Sequence, residues 1–460
     1  MHRIIKEPVV LYNKRKKFWK YSTSGFYNGH SVIIPENLSL TQLKWEKTSQ
    51  WNLGFNLGLF QDLVTFEFEV YNKKTTDLIM NDLRIPSANG FSKLAKVNAG
   101  TMRNKGWELN FSTSKICKVG KFSLKLRGNI AQNFNEVEEM NPLILEALNG
   151  SETYQPKNLE YNQRVQVGNA LGSIYGLKYK GVYRYDYYHN GYTTESISNY
   201  GYAEVNNSGY DAEGNPINTA AAAARRGENA TCPIAYDAEG NMLTDAKGIP
   251  LPMYYCYNEG YRKQFQGGDA IYEDVNHDGQ IDRYDMVYLG NSNPKCNGGF
   301  GINLYYGRIS LNTGFNFRMG NKIVNVARME YESMLNNNNQ SYATTWRWRK
   351  NGDITEIPRA LNEYGTGFKS YNALPSDRYV EDGNYLRLQY IQLSYDFDAK
   401  KLKKYGINNL KLFASMNNVF VWSKYTGVDP DVSPQGFAVC KDNSRTPRTK
   451  SFTCSLTVGF

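Results

Sequence analysis

Nowhere in the 460 residues does an apolar run approach the roughly 18 residues that a membrane-spanning helix requires. That lack excludes a helical membrane protein. It does not exclude a barrel, whose strands need be apolar on one face only. Histidine is scarce, with 4 in all. His2, His30, His189 and His277 have no nucleophile motif beside them, and neither HExxH nor GxSxG occurs, so catalysis has no residues to rest on. The 6 cysteines, Cys117, Cys232, Cys256, Cys296, Cys440 and Cys454, form no CxxC pair and no metal-finger spacing. Cys232 and Cys256 flank one polar insertion and either bridge in an oxidising compartment or stand as two thiols. Met1 to Ser22 lacks the continuous apolar core and small-residue cleavage site of a signal peptide. The net charge of +10 is dispersed without a long basic run, so no nucleic acid partner is expected.

What is abundant is aromatic residues and glycine: 36 Tyr, 21 Phe, 7 Trp and 40 Gly, the profile of a β-rich chain. Strict alternation over about eight residues marks a strand with one apolar face, and it recurs throughout. Trp51, Leu53, Phe55, Leu57 and Leu59 are followed by Val64, Phe66, Phe68 and Val70; Trp107, Leu109 and Phe111 by Phe122, Leu124 and Leu126. Phe300, Ile302, Leu304 and Tyr306 precede Ile309, Leu311, Thr313, Phe315 and Phe317, and Ile391, Leu393, Tyr395 and Phe397 precede Leu410, Leu412, Ala414 and Met416. A last strand carries Phe452, Cys454, Leu456, Val458 and Phe460.

A soluble sandwich would alternate too, so the connections decide. Within pairs they are tight, at Gln61–Asp62, Lys118–Gly120 and Gly307–Arg308, with Asp398–Asn409 somewhat longer; between pairs they are long, at about 72–99, 135–297, 320–385 and 423–448. Alternating short turns and long loops place every long loop at one end, as in outer-membrane barrels. The interleaved set holds Glu67, Glu69, Lys125, Arg127 and Arg318, whereas the apolar set is free of charge in mid-strand. That pattern predicts an all-β transmembrane antiparallel barrel wall with a polar lumen and outer-membrane lipid outside. Nine strands are odd in number, so the sheet is expected not to close by itself, and the missing strands are expected upstream or on another chain.

The strands and their flanks resemble the C-terminal part of the SusC/RagA family of TonB-linked outer-membrane transporters of Bacteroidetes. The resemblance rests on Leu43-Lys44-Trp45-Glu46-Lys47-Thr48, Asn104-Lys105-Gly106-Trp107-Glu108, Gly290-Asn291-Ser292-Asn293-Pro294-Lys295 and Arg378-Tyr379-Val380-Glu381-Asp382-Gly383-Asn384-Tyr385-Leu386-Arg387-Leu388. Asn417-Asn418-Val419-Phe420, Lys424-Tyr425-Thr426-Gly427-Val428-Asp429-Pro430 and Thr446-Pro447-Arg448-Thr449-Lys450-Ser451-Phe452 complete it, in order and spacing, over 43–460. It implies nine strands of a barrel of about 22, with residues 1–45 unassigned, the barrel over 46–460 and a large extracellular insertion at 135–297. It also implies a SusD-like lipoprotein lid, coupling to TonB-ExbB-ExbD through a plug that this sequence does not hold, and uptake of an oligosaccharide or oligopeptide. The competing classes are a non-transporting fragment that displays binding loops and a soluble glycan-binding sandwich.

Three sets of residues are candidate sites. Asp274, Asn276, Asp278, Gln280, Asp282 and Asp285 fall on calcium-loop spacing, with Gly279 at the turn; the alternative is an Asx-rich turn without Ca²⁺. Tyr175, Tyr179, Tyr183, Tyr185, Tyr187 and Tyr188 are dense enough to stack on sugar rings or meet a lid, or else pack a large loop on itself. Phe452, Leu456, Val458 and Phe460 resemble the terminal signal by which such barrels are assembled. Tyr210-Asp211-Ala212-Glu213-Gly214-Asn215 recurs as Tyr236-Asp237-Ala238-Glu239-Gly240-Asn241, which reads as two hairpin turns. Glu67 and Glu69 read as lumen wall rather than as a catalytic pair.

Overall fold

Alternating sequences zip wherever two of them share a short turn, and here the zipping joins nine strands into one sheet. The computed structural model describes residues 21–27, 30–35, 43–84, 93–149, 155–157, 159–161, 164–186, 214–215, 223, 226–228, 231–248, 250–258, 261–335, 339–361, 370–432 and 439–460. Nine long strands form one antiparallel wall: β1 (Lys47–Leu59), β2 (Val64–Thr76), β3 (Gly100–Thr113), β4 (Phe122–Met140), β5 (Cys296–Tyr306), β6 (Ile309–Met319), β7 (Tyr385–Asp396), β8 (Asn409–Ser423) and β9 (Ser451–Gly459). Each pairs with its neighbours in chain order, leaving β1 and β9 as the two edges. All nine expected strands are present.

Because opposed residues share a face, register shows which side chains form each surface. One row runs Leu57, Phe66, Phe111, Gly128, Phe300, Phe315, Leu388 and Phe420 across eight strands. A second runs Phe55, Phe68, Leu109, Ile130, Gly298, Phe317, Leu386 and Trp422. Neither row holds a charge. Towards the turns Phe60, Tyr306, Tyr395 and Phe460 are exposed, and towards the loops Trp51, Phe134, Phe420 and Trp422, two aromatic borders to the apolar band.

The turns and loops segregate as their lengths predict. Gly307 takes φ 59° in the two-residue turn between β5 and β6, a conformation that suits glycine. Between β3 and β4 the turn is wider than expected: Ile116–Val119 forms a further short strand against the start of β4, and Gly120 turns at φ 58°. At the other end Ile79–Arg84 and Lys93–Asn98 pair into a hairpin between β2 and β3. Tyr21–Tyr27 and His30–Pro35 pair as a separate hairpin.

The three longest loops fold together. Leu177, Tyr183, Tyr255, Phe265, Tyr272 and Ile281 of the insertion share a buried cluster with Tyr371 and Leu374 of the β6–β7 loop. A second cluster joins Tyr161 and Ile174 to Val324, Met329 and Tyr379, and to Val439 of the β8–β9 loop. This body holds the apolar core, because the wall has one apolar face turned outward and a polar one turned inward. Cys232 and Cys256 are free thiols, not a bridge. Cys256 donates to Gln280 Oε1 at 3.0 Å, and Cys232 lies in a cluster with Tyr185, Ala223 and Ile234.

Candidate functional site

The inward face begins with Glu67 and Glu69 on β2, which stand in register with Asn110 and Glu108 on β3. These groups, with Gly54, Asn56 and Asn110, line a shallow recess of about 200 Å³. Farther round, Lys125 and Arg127 on β4, Arg318 on β6 and Arg387 on β7 share the same face by register, among Asn129, Asn303, Asn312, Asn316 and Gln392. The wall is therefore acidic over β2 and β3, basic from β4 onward, and amide-rich between. Opposed to the charge-free outer rows, this is the two-sided chemistry of a strand wall between lipid and water.

At the loop end a buried ion network ties the loops to one another. In the helix α1 (Val326–Ser333), Glu332 accepts from Arg328 Nε at 2.9 Å and from Arg378 Nη2 at 2.8 Å. Glu381 accepts from Arg328 at 3.2 Å and from the Thr426 amide at 2.8 Å. Asp269, fully buried in the insertion, takes Arg359 at 2.6 Å, Tyr371 Oη at 2.7 Å and Asn372 Nδ2 at 3.2 Å.

The chain matches the family model described as TonB dependent receptor-like, beta-barrel, over residues 18–226. It is 29% identical over 450 residues to TonB-dependent receptor P39 of Formosa agariphila, covering 96% of this chain and 38% of that protein. It is 24% identical over 454 residues to TonB-dependent receptor SusC of Bacteroides thetaiotaomicron, covering 98% and 35%. Among solved structures, that of the RagAB peptide transporter superposes with a TM-score of 0.63 at 17% identity, over 96% of this chain and 38% of that one. The chain is similar to TonB-dependent receptor barrels of the SusC/RagA kind. Its place is the bacterial outer membrane, and the relatives it matches are receptors rather than enzymes. The chain spans a little over a third of the length of the relatives it matches.

Within this SusC/RagA-like barrel, the calcium-spaced loop closes a tight turn. His277 at φ 57° and Gly279 at φ 76° turn the backbone. Asp274 accepts the Gly279 amide at 2.7 Å, Asp278 that of Gln280 at 2.8 Å, and Asp282 that of Tyr284 at 2.7 Å. Asp285, fully buried, accepts the amides of Val275 at 2.7 Å and Asp282 at 2.8 Å. Asn276 donates to Asp278, and the Gln280 side chain accepts from Cys256. Burial, with Asp274 and Asp282 adding negative charge, pushes the Asp285 carboxyl up to about 7. Among the described residues no group of three or more carboxyl, imidazole or thiol side chains is placed to hold a metal ion.

The tyrosines are placed by packing. Tyr175 is buried, donates to Gln166 at 2.9 Å and meets Tyr288 edge-on at 5.8 Å. Tyr179 donates to the Glu356 carbonyl at 2.5 Å beneath the Arg378 guanidinium. Tyr183 is buried against Phe265, and Tyr185 is buried and donates to Glu228 at 3.0 Å. Tyr187 and Tyr188 lie outside the described residues, as does most of the first copy of the Tyr-Asp-Ala-Glu-Gly-Asn repeat. The second copy makes the expected turn, with the Asn241 amide on Asp237 Oδ1 at 2.7 Å. On β9, Phe452, Leu456 and Val458 face outward and are exposed, and Phe460, which follows the strand, is exposed as well.

Sequence reading took Arg387 and Asp429-Pro430 only as parts of the family resemblance and gave neither them nor Asp431 a site role. Arg387 lies just before a bulge at Gln389, where pairing with β6 steps from Phe315–Leu388 to Gly314–Tyr390. The bulge shifts the alternation by one, so a period-2 reading of β7 from Ile391 breaks off before reaching Arg387. Its only sequence signal is Leu386 and Leu388, apolar on the opposite parity from Ile391 and Leu393.

Proposed function

We propose that the chain is the lumen wall and mouth of a TonB-dependent importer of oligomeric nutrients. One observation carries the reading: through the middle of the strands a charge-free outer face backs onto an inner face of carboxylates, guanidiniums and amides. A fused body of loops above such a wall suits capture of a polymer segment and its delivery inward. In this reading a SusD-like surface lipoprotein covers the mouth, and TonB-ExbB-ExbD acts through a plug supplied by the rest of the protein. The cargo is an oligosaccharide or an oligopeptide, and the likeness in fold to the RagAB peptide transporter favours the peptide.

Deleting the gene in its native host and measuring uptake of labelled oligopeptide and oligosaccharide mixtures tests this. Loss of uptake of one class, restored by the intact gene, is the expected result. Unchanged uptake of both would leave a surface-binding protein instead.

A further inference from the structure

The loop that leaves β8 turns back along the inside of the wall. Arg318 on β6 and Tyr385 and Arg387 on β7 face the lumen by register, and both arginines are engaged by residues 429–432. Arg387 Nη2 donates to Asp429 Oδ1 at 2.5 Å. Arg318 Nη1 donates to the Val432 carbonyl at 3.0 Å, and its Nη2 lies 3.5 Å from Asp431 Oδ1. Arg448 pairs with the other oxygen of Asp431. The Tyr385 ring has the Arg318 and Arg387 guanidiniums 5.8 Å and 5.6 Å from its centroid. The Asp431 amide on Asp429 Oδ1 at 2.9 Å folds the segment around Pro430 into a compact two-carboxylate plug for this arginine pair.

The charges do not balance. Among the described residues three guanidiniums meet two carboxylates, and the Nε of Arg387, whose side chain is 5% exposed, is buried without a partner. The wall arginines thus have capacity for anions beyond what the loop supplies. The loop's apolar residues Tyr425 and Val432 sit on Ile323 and Cys440, so the same segment that neutralises the arginines also covers the Cys440 thiol. The Cys440 Sγ donates to the Val432 carbonyl at 3.2 Å.

We propose that residues 424–432 are a strap latched onto the lumen wall, and that Arg318 and Arg387 beneath it are a binding site for carboxylate-rich peptide segments, which the Asp429-Pro430-Asp431 sequence fills from within the chain. A passing acidic peptide competes for the same guanidiniums and frees the strap, widening the mouth where it now lies folded inward. The strap is an internal ligand as well as a constriction.

Cys440 is a built-in reporter. It is fully buried under the strap, whereas Cys232 is buried elsewhere in the insertion. The intact protein in outer-membrane vesicles is treated with a membrane-impermeant maleimide, and modification of each cysteine is followed by mass spectrometry. Asp429→Asn with Asp431→Asn is expected to speed labelling of Cys440 at least about tenfold, the order expected when a buried charge pair is lost, with Cys232 unchanged. Acceleration at both cysteines would mean general loosening and would overturn the strap. On the unmodified protein, millimolar acetyl-Asp-Pro-Asp amide is expected to speed Cys440 labelling while acetyl-Asn-Pro-Asn amide does not. Equal effects of the two peptides, or none, would overturn the anion site. Neither arm depends on transport.

Discussion

Arg127 on β4 and Tyr390 on β7 meet over the two strands that separate them, with Arg127 Nη2 donating to the tyrosine oxygen at 2.5 Å. The row between them is Gly301 and Gly314, and a Cβ on Gly314 would stand 2.4 Å from the Tyr390 ring. Glycine is needed here for close approach. Gly314→Val is expected to lift Tyr390, break the bond and destabilise the wall by about 1–3 kcal/mol, as overpacking does. Tyr390→Phe removes the hydrogen bond alone and costs about 0.5–1.5 kcal/mol. Denaturant unfolding of both variants gives the comparison; a Gly314→Val loss no larger than that of Tyr390→Phe would contradict the steric argument.

Glu69 and Glu108 stand directly opposite on neighbouring strands, and among the described residues neither has an ion-pair partner. Like charges so placed are destabilising. Glu108→Gln should therefore raise stability by about 0.5 kcal/mol, within the usual range for a cross-strand pair. Unfolding midpoints with and without added salt check it, since the gain should shrink as ionic strength rises.

Asp269 joins the insertion to the β6–β7 loop through Arg359, Tyr371 and Asn372. Asp269→Ala leaves a guanidinium without its buried partner, a change that costs about 3–5 kcal/mol. The two loops are expected to come apart, and hydrogen exchange of 264–273 and 370–374 should rise together while that of β1 to β9 stays slow.

Asp285 fixes the direction of pH dependence in the insertion. Its folded value of about 7 lies above the ordinary 3.8, so between these limits the folded chain holds a proton that the unfolded chain has lost. Linkage then makes the insertion most stable below the lower limit and progressively less so as pH rises through about 7. Melting at about pH 4.5 and about pH 7.5 should show the slope, and Asp285→Asn should flatten it.

We expect the outward residues of β9 to act in assembly, because Phe452, Leu456, Val458 and Phe460 stay uncovered on an edge strand. Removing Phe460 should lower the fraction of protein inserted in the outer membrane, measured by heat-modifiable mobility in gels. Full insertion without Phe460 would remove the role.

The wall was legible because its physics is local: period-2 alternation and turn length fixed nine strands, their order and the face of almost every residue. The exceptions are instructive. Gln389 and the positive-φ Asn418 interrupt the ladders between β6, β7 and β8, and a bulge leaves no mark that alternation alone reveals. The loop body was illegible for a different reason. The sequence left Tyr175 and Tyr183 open between stacking on a ligand and packing the loop on itself, because their ring partners Tyr288 and Phe265 are remote in sequence. The calcium spacing leaves a similar choice open, since carboxylates spaced for a cation serve equally to hold backbone amides in an Asx-rich turn.

The insertion departs from Met140 and returns at Cys296, yet the strands it links, β4 and β5, are immediate neighbours in the wall. To the barrel's circumference so long an excursion has zero length. Such a module can be enlarged, exchanged or pared away over generations without moving a single wall strand, so what the mouth recognises is free to diversify while the conduit beneath it keeps one gauge.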